Sequence, residues 1–186
     1  MADLERALPQ FRLWTAEFEQ GPPPRLDRTL VHKDYDQNVF VSRFESAGED
    51  QPDDFIGQLY IDAEHPFFFE HPLDHVPGLM MVEAGRQLGT AVAHVAYGVP
   101  VGETSFILNG MEVDFTGFAE LDQPVFVISE VTDKKYKRDA LTEMLYHGHF
   151  VQAEKKIGYM SGRWHIYDKK VMKRLRKNAA VSVAKG

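Results

Sequence analysis

The 186 residues carry 44% hydrophobic and 26% charged side chains and a net charge of −7, the balance of an ordinary globular chain long enough for one domain with a real core. Cysteine is absent, which excludes disulfides, thiolate metal sites and a cysteine nucleophile. No apolar run approaches the ~20 residues of a membrane span, and MADLERALPQFRLW at the amino terminus has no signal-peptide core, so a cytoplasmic protein is expected.

In chain order, a short amphipathic leader ends at Gly21-Pro22-Pro23-Pro24, because consecutive prolines fix extended backbone and stop any helix before them. Residues 1–24 are therefore read as leader and linker. Val31 to Phe44 carries two short extended pieces, the second being NVFVSRF. Phe55 to Ile61 (FIGQLYI) is a further β-branched and aromatic run. From Leu79 to Tyr97 there is no proline, apolar residues recur every three or four positions, Pro77-Gly78 provides a start and Gly98-Val99-Pro100 a stop; this predicts one long helix. Its apolar residues cover most of its circumference, as in a helix buried within protein. Four strands are predicted after it: SFILNGMEVDF, QPVFVISEVT, ALTEMLYHGHFVQ and EKKIGYMSGRWHIY, with TGFAELD and DKKYKRD as linkers. One buried helix with a sheet around it is an α+β layout, assigned to residues 25–168.

Charge is unevenly spread. Residues 1–168 hold 14 Lys/Arg and all 28 Asp/Glu, whereas residues 169–186 hold 7 basic groups and no acid. In KKVMKRLRK, Val171 and Leu175 are one turn apart and are expected to hold one face down. The tail reads as a solvated helix or as a docking patch for an acidic partner such as an acyl carrier protein. Nucleic acid is not expected, because the acidic body repels phosphate.

The stretch HPFFFEHPLDHVPGLMMVEAGRQ, His65 to Gln87, concentrates titratable groups where the helix begins. Glu83 lies in the second turn of an otherwise apolar helix; burial is expected to raise its pKa and suit it to general acid or base work. Arg86 and Gln87 are its neighbours at i+3 and i+4, and Arg86 is a candidate for a substrate phosphate, with Arg163 of SGRWH as its competitor. Backbone N–H groups of Gly78 and Leu79 at the helix start are candidates to polarise a thioester carbonyl. His71 or His75 in the preceding loop is the candidate base, His71 being preferred for its place after the phenylalanines. The alternatives are a buried structural Glu83–Arg86 ion pair and loop histidines that only cap the helix. A metal held by His65, His71, Asp74 and His75 is disfavoured, since His-x2-Asp-His is not a strong metal spacing, and no metal or cofactor is expected. His147 and His149 share a strand face as a surface pair, His94 reads as a core or interface histidine, and Phe67 to Phe69 as packing or the wall of an acyl tunnel. Nucleophile elbow, phosphate loop and dinucleotide fingerprint are all missing.

The stretch from His65 to Gln87, followed by YGVPVG, resembles the A-factor biosynthesis (AfsA-like) branch of the hotdog superfamily. VHKDYDQNVFV and SGRWHIYDKKVMKRLRK are similar to the beginning and end of that family's repeat, so the resemblance covers Val31 to Lys177. It implies a hotdog fold, an antiparallel sheet wrapped around one long central helix. Members typically carry two repeats; one repeat here implies a homodimer. The helix start is also similar, more distantly, to 3-hydroxyacyl-thioester dehydratases, whose catalytic glutamate follows the Pro-Gly glycine by five residues, as Glu83 follows Gly78. Their catalytic histidine precedes the Pro-Gly by eight residues, where this chain has Phe69, and His71 matches the local pattern two residues later.

The resemblance implies an acyltransferase that joins a 3-oxoacyl group, carried by coenzyme A or acyl carrier protein, to dihydroxyacetone phosphate on the way to a γ-butyrolactone signal or secondary metabolite. The enzyme alternative is a 3-hydroxyacyl-thioester dehydratase or acyl thioesterase. The alternative from another class is a non-catalytic acyl-binding or regulatory module.

Overall fold

The computed structural model describes residues 3–21 and 23–183, and within the last helix the side chains of Leu175 and residues 178–183 lie outside the described residues, as does Pro22 of the linker. The elements are α1 (Leu4–Phe18), β1 (Val41–Ser46), β2 (Asp54–Leu59), α2 (Gly78–Tyr97), β3 (Thr104–Phe115), β4 (Phe126–Lys137), β5 (Ala140–Gln152), β6 (Lys155–Asp168) and α3 (Lys169–Val183). The strands form a six-stranded sheet in the order β1-β2-β4-β5-β6-β3, antiparallel at every pairing.

Helix α2 crosses one face of this sheet, and its apolar circumference is buried there by Met80, Met81, Ala84, Leu88, Ala91, Val92 and Ala93. The approach is close because α2 presents glycine to the bulkiest strand residues. A Cβ on Gly89 would stand 2.9 Å from Trp164 Cη2 of β6. Alternation along β6 puts Met160, Trp164 and Ile166 under the helix and Tyr159, Arg163 and His165 on the opposite face. On that opposite face the leader, folded as α1 with Asp3 accepting from Glu5 N–H as its cap, buries Ala7, Phe11 and Trp14 against Ile56, Phe126, Ile128 and Val151.

Three local expectations are corrected. Val31 lies in a turn and not in an extended piece: His32 takes a left-handed φ of 57°, and the first strand starts only at Val41. DKKYKRD is not a linker, because β4 continues to Lys137 with Lys135 opposite Glu143 and Tyr136 opposite Leu141. The turn proper is Arg138-Asp139, with φ of 49° and 65°, the backbone that matches strand twist in a two-residue hairpin. In α3 it is Met172 that is half-buried, whereas Val171 is 43% exposed; Leu175 lies outside the described side chains.

Strand β3 is an edge that pairs only with β6. Its helix-facing residues leave Leu108, Met111 and Phe115 exposed, continuous in type with exposed Leu79 at the start of α2 and Phe118 after the strand. Among the described residues no helix is long and apolar enough to cross a membrane.

Candidate active site

Pro77 caps α2 without a side-chain hydrogen bond, and the first carbonyl bonds of the helix run from Met80 and Met81 N–H to Pro77 O. The N–H groups of Gly78 and Leu79 are thus free of helical acceptors and carry the positive end of the helix dipole. Gly78 is required here because a Cβ would meet Phe115 Cε2 at 2.8 Å. Leu79 opens instead onto a cleft of 470 Å³ walled by Phe40, Phe67, Phe68 and Val82, with Lys33, Asn38, His65 and Glu83 as its polar groups.

Glu83 is the most heavily bonded of these. Arg86 Nε donates to its Oε2 at 2.7 Å and Arg86 Nη2 to its Oε1 at 2.8 Å. Lys33 Nζ stands 2.7 Å from Oε1 and Gln87 Nε2 donates to it at 3.0 Å. Oε1 therefore collects three donors and Oε2 one, which leaves Oε2 a lone pair for a further donor. The expectation of a raised pKa is corrected: burial does push the carboxyl up, but the hydrogen bond and charge of Arg86, then the bonds from Lys33 and Gln87, outweigh it and bring it to about 2. Glu83 is a fixed anion at neutral pH.

The other sequence-predicted residues divide sharply. Gln87 is fully buried, with Oε1 accepting from Phe40 N–H at 2.8 Å and Nε2 donating to Asn38 O at 2.8 Å; it pins residues 38–40 to the helix and has no atom to offer a substrate. Arg163 lies on the sheet face opposite α2, paired with Asp133 and Glu143, and is not brought to Glu83. His71 is exposed and outside the cleft. His75 bonds the Asp74 carboxylate at 2.7 Å and packs on Phe118, also outside it.

The histidine that the structure does bring into the cleft is His65. Its Nε2 bonds Asn38 Oδ1 at 3.1 Å, which makes Nε2 the protonated nitrogen, and its Nδ1 accepts from Phe67 and Phe68 N–H at 3.3 and 3.4 Å. Burial lowers its pKa. Both nitrogens are occupied, so this neutral ring shapes the phenylalanine turn and has no free lone pair to act as base. Lys33, Asn38 and His65 were missed as site residues because they join Glu83 in one cleft from distant loops, Lys33 alone touching it, and no spacing in the sequence signals that meeting. Among the described residues no group of three or more His, Asp or Glu is placed to hold a metal ion.

The core beneath α2 is filled: a Cβ on Gly85 would lie 2.2 Å from Met160 Sδ, and one on Gly57 2.8 Å from Leu88 Cδ2. The open space at this end of α2 therefore lies along the phenylalanine wall of the cleft and not between helix and sheet.

The family model described as the A-factor biosynthesis hotdog domain matches residues 14–168. A 2-oxo-3-(phosphooxy)propyl 3-oxoalkanoate synthase of Streptomyces virginiae is 36% identical over 73 residues, 39% of this chain and 22% of that protein. The protein of the same name from Streptomyces coelicolor is 33% identical over 93 residues, 50% of this chain and 26% of its own length. The chain thus matches little more than a quarter of these relatives at most. Among solved structures, a mutant thioesterase from Pseudomonas aeruginosa superposes with a TM-score of 0.50 at 11% identity, covering 85% of this chain and 94% of that one. A conserved protein of the same organism gives 0.51 at 12% identity, with 76% and 100% covered. These likenesses show the hotdog fold.

Proposed function

The chain belongs to the A-factor biosynthesis hotdog domain family, and from that premise we propose that it is an acyltransferase that moves a 3-oxoacyl group from a coenzyme A or acyl-carrier thioester to the hydroxyl of dihydroxyacetone phosphate. The observation that carries this reading is a carboxylate that lines an apolar-walled cleft together with Leu79 of the helix start and is held between two cations, Lys33 and Arg86. A hydrolase or dehydratase does not require two cations beside its carboxylate. A phosphorylated acceptor does.

In the free protein those cations keep Glu83 a weak base. A phosphate placed against Lys33 and Arg86 competes for their N–H groups, and each bond withdrawn from Glu83 raises its basicity in the buried cleft. The acceptor hydroxyl then gives its proton to Glu83 Oε2 while its oxygen attacks the thioester carbon. The N–H groups of Leu79 and Gly78 stabilise the tetrahedral oxyanion. Collapse breaks the C–S bond, and the departing sulfur takes the proton from Glu83 and leaves as the free thiol, which restores the carboxylate. The printed name of the Streptomyces relatives describes a product of this kind.

The protein is further proposed to work as a homodimer paired along β3, the edge whose exposed Leu108, Met111 and Phe115 need cover, with α3 available to an acidic carrier protein.

Mass-resolved turnover of 3-oxoacyl and 3-hydroxyacyl thioesters, with and without dihydroxyacetone phosphate, tests the reading. A phosphorylated ester that requires the acceptor supports it. Free acid or enoyl product without the acceptor replaces it with the thioesterase or dehydratase reading, and bound lipid without turnover with an acyl-binding module.

A further inference from the structure

Beyond the residues matched by the family model, α3 forms a second cleft that has no part in the chemistry above. Asp168 Oδ1 caps this helix by accepting from Lys170 and Val171 N–H at 2.6 and 3.3 Å, which commits that carboxylate to the backbone. The cleft, 280 Å³ in volume, lies between α3 and the start of β3 and is lined by Ser105, Lys169, Met172, Lys173 and Arg176. Its three cations are at i, i+4 and i+7, one face of the helix. Lys169 Nζ spends one proton on Gly102 O at 2.6 Å. Among the described residues, none of the three cations forms an ion pair. A pocket with three cations and a hydroxyl, built into an acidic chain, selects a compact anion with several acceptor oxygens.

The position of this cleft supplies the second observation. Lys169 stands close enough for its charge to act on His32, and Phe106, which strand alternation turns away from the Ser105 side and towards α2, packs its ring edge-on against His32 and His94 with centroids 5.2 and 5.4 Å away. His94 Nδ1 donates to Val99 O at 2.6 Å, and its Nε2 shares a hydrogen bond of 2.9 Å with His32 Nε2. His94 and Glu83 are eleven residues apart on α2, three turns along one stripe and roughly 16 Å. Arg86 lies between them. Lys169, at the edge of the cation cleft, is thus linked through the His32–His94 pair and the ring of Phe106 to the flank of α2 that carries the carboxylate.

We propose that the cleft of Ser105, Lys169, Lys173 and Arg176 binds the phosphate ester of a phosphopantetheine arm, which then lies along α2 past Phe106 and His32 and delivers its thioester to Glu83. This deepens the proposed function by assigning the carrier's phosphate a place distinct from the acceptor's, and it rests on that reading only for the identity of the arm. The six cations of residues 169–177 give the same helix an outer surface suited to the acidic body of a carrier protein.

Calorimetric titration of the full chain with 4′-phosphopantetheine and with pantetheine, which differ by one phosphate, tests the site without any turnover. The phosphorylated form is expected to bind at least tenfold more tightly at low salt, with the preference lost in a Lys173→Ala/Arg176→Ala variant and kept in Glu83→Ala. Coenzyme A and inorganic phosphate, titrated in parallel, separate an ester-specific site from a general anion site: the proposal expects weak binding of inorganic phosphate that falls in the same variant. Equal binding of the two pantetheines, or a preference that survives the double substitution, overturns it. Failure of acyl transfer to dihydroxyacetone phosphate leaves this result standing, so the two readings fail separately.

Discussion

Glu83 and Arg86 stand one turn apart on α2 and are joined at two points, Arg86 Nε to Glu83 Oε2 at 2.7 Å and Nη2 to Oε1 at 2.8 Å. The two-point geometry makes Arg86 an orienting partner of the carboxylate as well as its counter-ion, and Lys33 completes the arrangement from a separate loop.

The ion triad has a pH signature. Glu83 has a folded pKa of about 2 against an ordinary 4.5; a depressed folded pKa means stability that is fully present above the unfolded value and lost as pH falls through the folded one. The difference corresponds to roughly 3 kcal/mol. Urea unfolding of wild type and Glu83→Gln is expected to show a wild-type advantage that is constant above about pH 5 and shrinks from there towards pH 2. A pH-independent difference between the two proteins contradicts the pairing.

Gln87 holds the β1 approach to the helix through a buried amide that serves Phe40 N–H, Asn38 O and Glu83. Gln87→Leu removes these bonds and orphans buried backbone groups, with an expected loss of about 2–4 kcal/mol in denaturant unfolding. A loss below about 0.5 kcal/mol, the size of an ordinary surface substitution, shows that the amide is not holding this segment.

Gly89 is where α2 meets a rigid aromatic. With Trp164 Cη2 2.9 Å and Tyr146 Cδ2 3.2 Å from the position of an added Cβ, Gly89→Ala is expected to destabilise by about 1–3 kcal/mol and to alter the fluorescence of buried Trp164. An unchanged spectrum and melting temperature contradict the close packing.

Much of this architecture was legible. Helix α2 and strands β3 to β6 were readable because their apolar period is long and uninterrupted, and Glu83, Arg86 and Gln87 could be grouped because helix geometry fixes residues three and four apart. What was not legible depends on distant chain meeting the helix. Lys33 owes its position to the left-handed turn at His32, and burial alone suggested a raised Glu83 pKa because the second cation was invisible. Arg163 was misplaced by ignoring strand alternation: its neighbour Trp164 faces the core, so Arg163 faces away.

The loop histidines give a direct contrast. His71→Ala is expected to leave kcat/KM within about twofold of wild type, since the ring is exposed and outside the cleft, an effect on ΔΔG‡ below roughly 0.5 kcal/mol. His65→Ala should instead raise KM by disturbing the Phe67-Phe68 turn. Loss of kcat in His71→Ala restores that residue as the base.

Edge strand β3 sets the expected assembly. Sedimentation equilibrium should find a dimer for wild type and a monomer for Met111→Glu, which puts a charge on the exposed helix-facing side of the edge. A monomeric wild type, or a dimer unaffected by Met111→Glu, contradicts pairing along β3.

The most direct measurement is acyl transfer from a 3-oxoacyl thioester to dihydroxyacetone phosphate and, in parallel, to dihydroxyacetone, with wild type, Lys33→Ala and Glu83→Gln. If the acceptor's phosphate frees Glu83 from its cations, wild type esterifies the phosphorylated acceptor and barely touches the other, Lys33→Ala raises KM for the phosphorylated acceptor, and Glu83→Gln lowers kcat with both. Equal use of the two acceptors, or full activity in Glu83→Gln, contradicts the assignment of this cleft.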